Sequence, residues 1–131
     1  MNSTTHTLSL SAPKERVFNF LSQIENLPNW ATLFCKELKS FDDGRHKITT
    51  SQGEIFFRIE ADPKTGVIDM YGGPQEDQMA YWPARVVEDP GKGSLFIFTA
   101  FQYPGVGDEE FAMQCAGLKQ EFPNVKAHTE Q

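Results

Sequence analysis

The 131-residue sequence predicts an α+β chain, an antiparallel sheet with one apolar face, two short helices near the N-terminus and an amphipathic C-terminal helix that can lie along that face. Three observations predict it. Residues 40–70 hold two hairpin signals between segments whose apolar residues alternate. Residues 11–34 hold two helix-start signals, each followed by a brief apolar stripe. Residues 108–122 repeat apolar side chains at helical spacing behind an acidic start.

The hairpins sort the side chains. Asp43-Gly44 suits a two-residue turn in which both positions take positive φ, and Gln52-Gly53 resembles a second one. Pairing across the second turn sets Ile48 opposite Phe57, Thr50 opposite Ile55 and His46 opposite Ile59. Across Pro63-Lys64-Thr65-Gly66, Met70 falls opposite Ile59 and Ile68 opposite Ala61. Successive strand residues point to opposite faces. One face is therefore apolar apart from His46 and Thr50, and His46 is its one titratable group. The other carries Arg45, Lys47, Thr49, Ser51, Glu54, Arg58 and Glu60, with Phe56 as the apolar exception. Such a sheet needs a cover on its dry face.

The remaining elements supply that cover. Thr5–Leu10 reads as a short strand with Leu8 and Leu10 on one side. Ser11-Ala12-Pro13 offers a capping hydroxyl and a proline in the first turn, followed by Val17, Phe20, Leu21 and Ile24 at helical spacing. Asn26-Leu27-Pro28 repeats the signal before Leu27, Trp30, Leu33 and Phe34. Helices this short need a sheet to pack on. Cys35–Phe41 is the next strand, Gly72-Gly73-Pro74 with Gln75-Glu76-Asp77 a loop, and Met79–Val87 with Ser94–Gln102 the last hairpin. Trp82, Ala84 and Val86 share a face there. Whether they meet Ile97 and Thr99 or Phe96 and Phe98 is open, because a one-residue slip swaps the faces. Asp108-Glu109-Glu110 places acids where the helix dipole favours them, and Phe111, Cys115, Leu118 and Phe122 form the stripe. Pro123 is expected to kink or end this helix, with a polar tail from Lys126.

Composition narrows the function. Eleven Phe, three Tyr and two Trp argue for a real core. A net charge of −6 argues against nucleic acid or an anionic membrane surface as the main partner. No apolar run approaches the roughly 20 residues of a membrane span. The first 11 residues show no secretory signal, so a cytoplasmic location with reduced Cys35 and Cys115 is expected. No Cys-x-x-Cys, His-Glu-x-x-His, Gly-x-Ser-x-Gly or phosphate-binding glycine loop occurs, and neither metal nor cofactor is expected.

The order of elements resembles the helix-grip fold of the START/Bet v 1-like (SRPBCC) superfamily, the group of polyketide cyclase/dehydratase and lipid-transport proteins. The resemblance rests on Ser11-Ala12-Pro13-Lys14-Glu15-Arg16-Val17-Phe18, on Asn26-Leu27-Pro28-Asn29-Trp30, and on the stretch Tyr103–Phe111 before the last helix. It spans nearly the whole chain, read as one domain over residues 1–131. It implies a curved antiparallel sheet wrapped around the C-terminal helix, with a cavity for an apolar ligand between them.

The reading that follows is a binder of a small, mostly apolar molecule. His46 and Thr50 are the polar anchors, and Trp30, Phe34, Ile48, Phe57, Ile59, Met70, Trp82, Phe111, Cys115 and Leu118 line the site. His46 can equally be a strand-end residue near Asp43, and Cys115 a small core residue. Two alternatives stand beside this. One is an enzyme of the polyketide-cyclase kind, working through substrate orientation and one acid/base group. The other is a protein-interaction module with a filled core. Phe56 and Tyr71 on the outer face, joined by apolar residues of the last hairpin, suggest a homodimer through that face.

Overall fold

The structure is a computed structural model, and it describes residues 1–130. Strand β1 (Ser3–Leu10) leads into helix α1 (Lys14–Ser22), a 3₁₀ turn (Ile24–Asn26) and helix α2 (Leu27–Trp30). Strands β2 (Glu37–Ser40), β3 (His46–Thr50), β4 (Gly53–Asp62), β5 (Val67–Gln75), β6 (Gln78–Trp82), β7 (Ala84–Glu88) and β8 (Ser94–Phe101) follow, then helix α3 (Asp108–Thr129). The sheet is antiparallel in the order β1-β8-β7-β5-β4-β3-β2, with β6 on β5.

The face assignment holds while one register moves. Across the β3–β4 turn Ile48 pairs with Ile55, and Thr50 with Gly53. This lies two residues from the pairing expected from sequence. A two-residue shift keeps parity, so the same side chains stay inside. The turn is Ser51-Gln52, and Gly53, at φ 114°, opens β4 beyond it. The first hairpin also differs. Only Gly44 has positive φ, at 87°, and Gly44 N–H bonds Phe41 O while Phe41 N–H bonds Arg45 O. Asp42-Asp43-Gly44 is thus a three-residue loop ending in a left-handed glycine. The β4–β5 register is as expected: Ile59 meets Met70 and Ala61 meets Ile68.

The last hairpin's register is settled by pairing Ala84 with Phe98 and Val86 with Phe96. Phe96 and Phe98 are therefore inside. Pro83 divides the expected single strand, and β6 pairs with β5 while β7 pairs mainly with β8. Gly72-Gly73-Pro74 belongs to β5 rather than to a loop. A Cβ at Gly73 would meet Gln78 O at 2.1 Å, so β6 can pass only over glycine.

Both ends of the helical layer differ from expectation. Pro13 itself is the N-cap of α1, and no side chain caps that helix. The backbone N–H of Ser11 instead donates to Glu130 Oε2 at 2.6 Å. Helix α3 runs 22 residues and does not end at Pro123; Val125 is buried beyond it, and the expected polar tail from Lys126 is helical as far as the buried Thr129. Burial against α1 offsets the missing proline N–H, since a helix is held mainly by its packed face. Arg16 donates to Thr129 O at 3.2 Å, and Phe20 stacks on His128 with ring centroids 5.1 Å apart.

The core lies between the sheet's inner face and these helices, around Val17, Leu21, Leu27, Trp30, Ile48, Phe57, Ile68, Val86, Phe96 and Val125. The expectation that His46 is the one titratable group on this face is corrected. His6 of β1 is also there and nearly fully buried, at 5% exposure, with its ring edge-on to Phe122. Its position between Thr5 and Thr7 in a polar strand concealed it.

Candidate functional site

Three segments converge at one end of the sheet and leave a cavity of about 420 Å³. Helix α2 and the loop after it bring Leu27, Trp30, Ala31, Leu33 and Phe34. The β3–β4 turn brings Thr50, Ser51 and Gln52, and the sheet floor brings Phe57, Met70, Trp82, Phe98 and Ala100. Helix α3 closes the other side with Glu110, Met113, Gln114, Cys115, Gly117, Leu118 and Glu121.

An aromatic cluster forms the wall. Phe34 lies 6.0 Å from Phe57 and 5.7 Å from Trp82, centroid to centroid, and Phe57 lies 6.2 Å from Trp82. Gly72 makes this possible. A Cβ there would sit 2.9 Å from the Phe57 ring and 3.2 Å from Trp82, so the rings rest on bare backbone. At the mouth Leu33 and Met113 are exposed, at 46% and 75%, although both are large and apolar.

Glu121 is the polar centre. It is 4% exposed, and its Oε2 accepts hydrogen bonds from the backbone N–H groups of Leu33 and Phe34, each at 3.0 Å. These bonds tie α3 to the loop over the cavity. Burial pushes its carboxyl above the ordinary carboxylate range and outweighs the two backbone donors and the more distant Lys36, all of which act downward. Asn124, one turn further on, donates to Trp30 O at 3.0 Å and to Thr32 Oγ1 at 3.3 Å. The segment 30–34 is thus fixed to α3 by side chains of that helix.

Of the residues expected at the site, Trp30, Phe34, Thr50, Phe57, Met70, Trp82, Cys115 and Leu118 come together around this cavity. Ile48 is buried in the core and Ile59 half-buried beside it, both on the inner face but outside the lining. His46 lies outside it too, at the strand end, where its Nδ1 pairs with Ser40 Oγ at 3.0 Å. Phe111 lines a separate groove of about 410 Å³ between α3 and the β1–β8 side, with Thr4, Gln102, Asp108 and Lys119. Cys115 borders both spaces. The Thr50 hydroxyl is engaged locally, donating to Gly53 O at 2.8 Å and accepting from Gln52 N at 3.2 Å.

Glu121 was not among the expected site residues. Its signal is its place three residues after Leu118, on the edge of the apolar stripe, in a stretch that reads as solvent-facing. Cys35, behind the same loop, is a free buried thiol whose pKa burial pushes up to about 11.

No protein-family model matches the chain, and no curated protein matches it significantly. Solved structures do. XoxI from Bacillus cereus superposes with a TM-score of 0.76 at 17% identity, over 100% of this chain and 97% of that one. The Aha1 dimer from Colwellia psychrerythraea gives a TM-score of 0.71 at 14% identity, over 99% and 97%. The chain has the START/Bet v 1-like helix-grip fold. The di-domain ARO/CYC BexL, from the BE-7585A biosynthetic pathway, gives a TM-score of 0.69 at 15% identity. The match covers 99% of this chain and 47% of BexL, so the helix-grip unit here spans about half of that protein. Among the described residues, no helix is long and apolar enough to cross a membrane.

Proposed function

We propose that this chain binds a small, mostly apolar molecule in the cavity between the sheet, the α2 loop and α3. The observation that carries the reading is the void itself. About 420 Å³ bounded by Trp30, Phe34, Phe57 and Trp82 lies within the ~300–1,000 Å³ range of small-molecule sites. A filled interaction module would close this space by packing, as protein interiors do. The free thiols of Cys35 and Cys115 support an intracellular, cytoplasmic setting. The test is titration with an apolar, environment-sensitive dye. Saturable binding whose affinity changes in Trp82→Ala is the expected result, and absence of saturable binding would sink the proposal.

The cyclase-like alternative draws on one specific feature, a titratable carboxyl inside the cavity. In that reading Glu121, whose pKa burial raises, exchanges a proton with the substrate, and the aromatic walls hold the substrate in one folded conformer. The structural likeness to BexL supports the same direction at the level of fold.

Association through the outer face of the sheet is a further part of the proposal. Tyr71, Tyr81 and Phe101 stack in a row across β5, β6 and β8, with centroids 5.1 and 6.5 Å apart. The similar Aha1 structure is that of a dimer.

A further inference from the structure

The cavity's charge is one-sided. Glu110 and Glu121 line it, and no lysine, arginine or histidine does among the described residues. The basic side chain that acts on Glu121 is Lys36, which is exposed and bonds Thr32 O at 3.4 Å, outside the lining. Both hydrogen bonds to Glu121 fall on Oε2. Oε1 accepts none from the described residues. The residue as a whole is 4% exposed and lines the cavity. Trp30, Phe34, Phe57 and Trp82 share the lining with Glu121, and aromatic rings attract cations through their quadrupoles.

We propose that the ligand is a lipophilic amine, its ammonium on Glu121 Oε1 and its apolar body against Trp30, Phe34, Phe57 and Trp82. The inference rests on the ligand-binding reading above and names the class of ligand. A buried carboxylate without a counter-charge is costly. An ammonium supplies that charge in the same event that fills the void, and its N–H groups satisfy the idle oxygen. A ligand carboxylate of the fatty-acid type would instead add a second negative charge to a space that offers it no cation. An alcohol would make the hydrogen bond without the charge. The order of affinity follows as amine, alcohol, carboxylate. Leu33 and Met113 at the mouth suit the same molecule, since an alkyl or aryl tail passes between them.

Decylamine, decanol and decanoate share one tail and differ only in the head group, and they are titrated by calorimetry at neutral pH, each below its solubility or micelle limit. Decylamine is expected to bind about tenfold or more tighter than decanol, the gain of one charge-assisted hydrogen bond, and decanoate more weakly than decanol. In Glu121→Gln the amine's advantage over decanol should collapse. That loss separates the site from general attraction of a cation to a chain of net charge −6. In the unaltered chain the ¹³C resonance of the Glu121 carboxyl should move with decylamine and hold still with decanol, a readout that needs no variant. Decanoate binding as well as decanol, or an amine preference that survives Glu121→Gln, would overturn the inference and leave the cavity reading standing. Failure of all three probes to bind would overturn both.

Discussion

At the scale of single residues, burial decides what an ionisable group does. Glu121 has its carboxyl raised from an ordinary 4.5, first by burial. The folded chain thus favours the neutral form more than the unfolded chain does. Its contribution to stability is whole below about pH 4.5 and is lost as pH rises through the raised folded value. His6 works in the opposite sense. Burial first, and Lys119 second, hold its imidazole below the usual 6.5, so its contribution is whole above about pH 6.5 and is lost as pH falls through the lowered value. Glu121→Gln should flatten the loss of stability on going from mildly acid to neutral pH, and His6→Gln should flatten the loss on the acid side. Melting temperatures across a pH series measure both. Parallel profiles for wild type and Glu121→Gln would show that the carboxyl is not desolvated. Phe57 gives a plainer case. It is 2% exposed and touches two other rings, so Phe57→Ala should cost roughly 3–5 kcal/mol. Lys47, on the outer face over the Phe56 ring and 3.7 Å from Glu54, should lose at most about 1 kcal/mol on change to alanine. Equal losses in denaturant titration would refute the division into faces.

At the scale of elements, α3 carries the larger lesson. A proline inside a helix costs about 3 kcal/mol through its missing N–H and its clash with the preceding turn. Here the helix continues six residues past Pro123, because Val125 and Thr129 are buried against α1 and Glu130 accepts from the Ser11 N–H. Pro123 faces solvent, so Pro123→Ala should raise stability by about 1 kcal/mol or more, read as a higher melting temperature. A lower one would mean that the proline is needed to aim Glu121 and Asn124 at the loop 30–34. The sheet shows a related economy. Gly72 and Gly73 stay in β5 because one bears the aromatic floor of the cavity and the other the backbone of β6.

At the scale of the whole molecule, the two faces of the sheet have different fates. The inner face is covered by three helices except where the cavity lies. On the outer face Lys47 and Arg45 lie 4.6 and 5.4 Å from the Phe56 ring centroid, and Arg58 lies 4.3 Å from that of Tyr71. These cations cover the rings and could equally frame a contact between copies. Sedimentation at micromolar concentration decides between the two. A dimer dissociated by Phe56→Glu is the expected outcome, and a monomer indifferent to that change would end the dimer proposal.

Parity was legible in the residues. Alternation in 45–60 and 67–71 assigned every inner side chain of β3, β4 and β5 to its face, and parity survives the two-residue error in the β3–β4 register. Seven of the expected lining residues follow from that assignment and from the helical spacing of Trp30, Phe34, Cys115 and Leu118, and Trp82 follows from the alternation of 82, 84 and 86. Local pattern states which side of an element is apolar, and the hydrophobic effect makes that side inward. It does not state how far along the sheet each helix lies or what its polar residues meet. His6 and Glu121 stand in polar stretches, and their burial depends on Phe122 and on the N–H groups of Leu33 and Phe34, more than 80 residues away from Glu121 in the chain. The same holds for α3 beyond Pro123, which is held by a partner helix near the other end of the sequence. Facing is a property of the residue and its near neighbours, whereas the position of the void and the charge inside it are set by contacts between distant segments, and only the tertiary structure decides them.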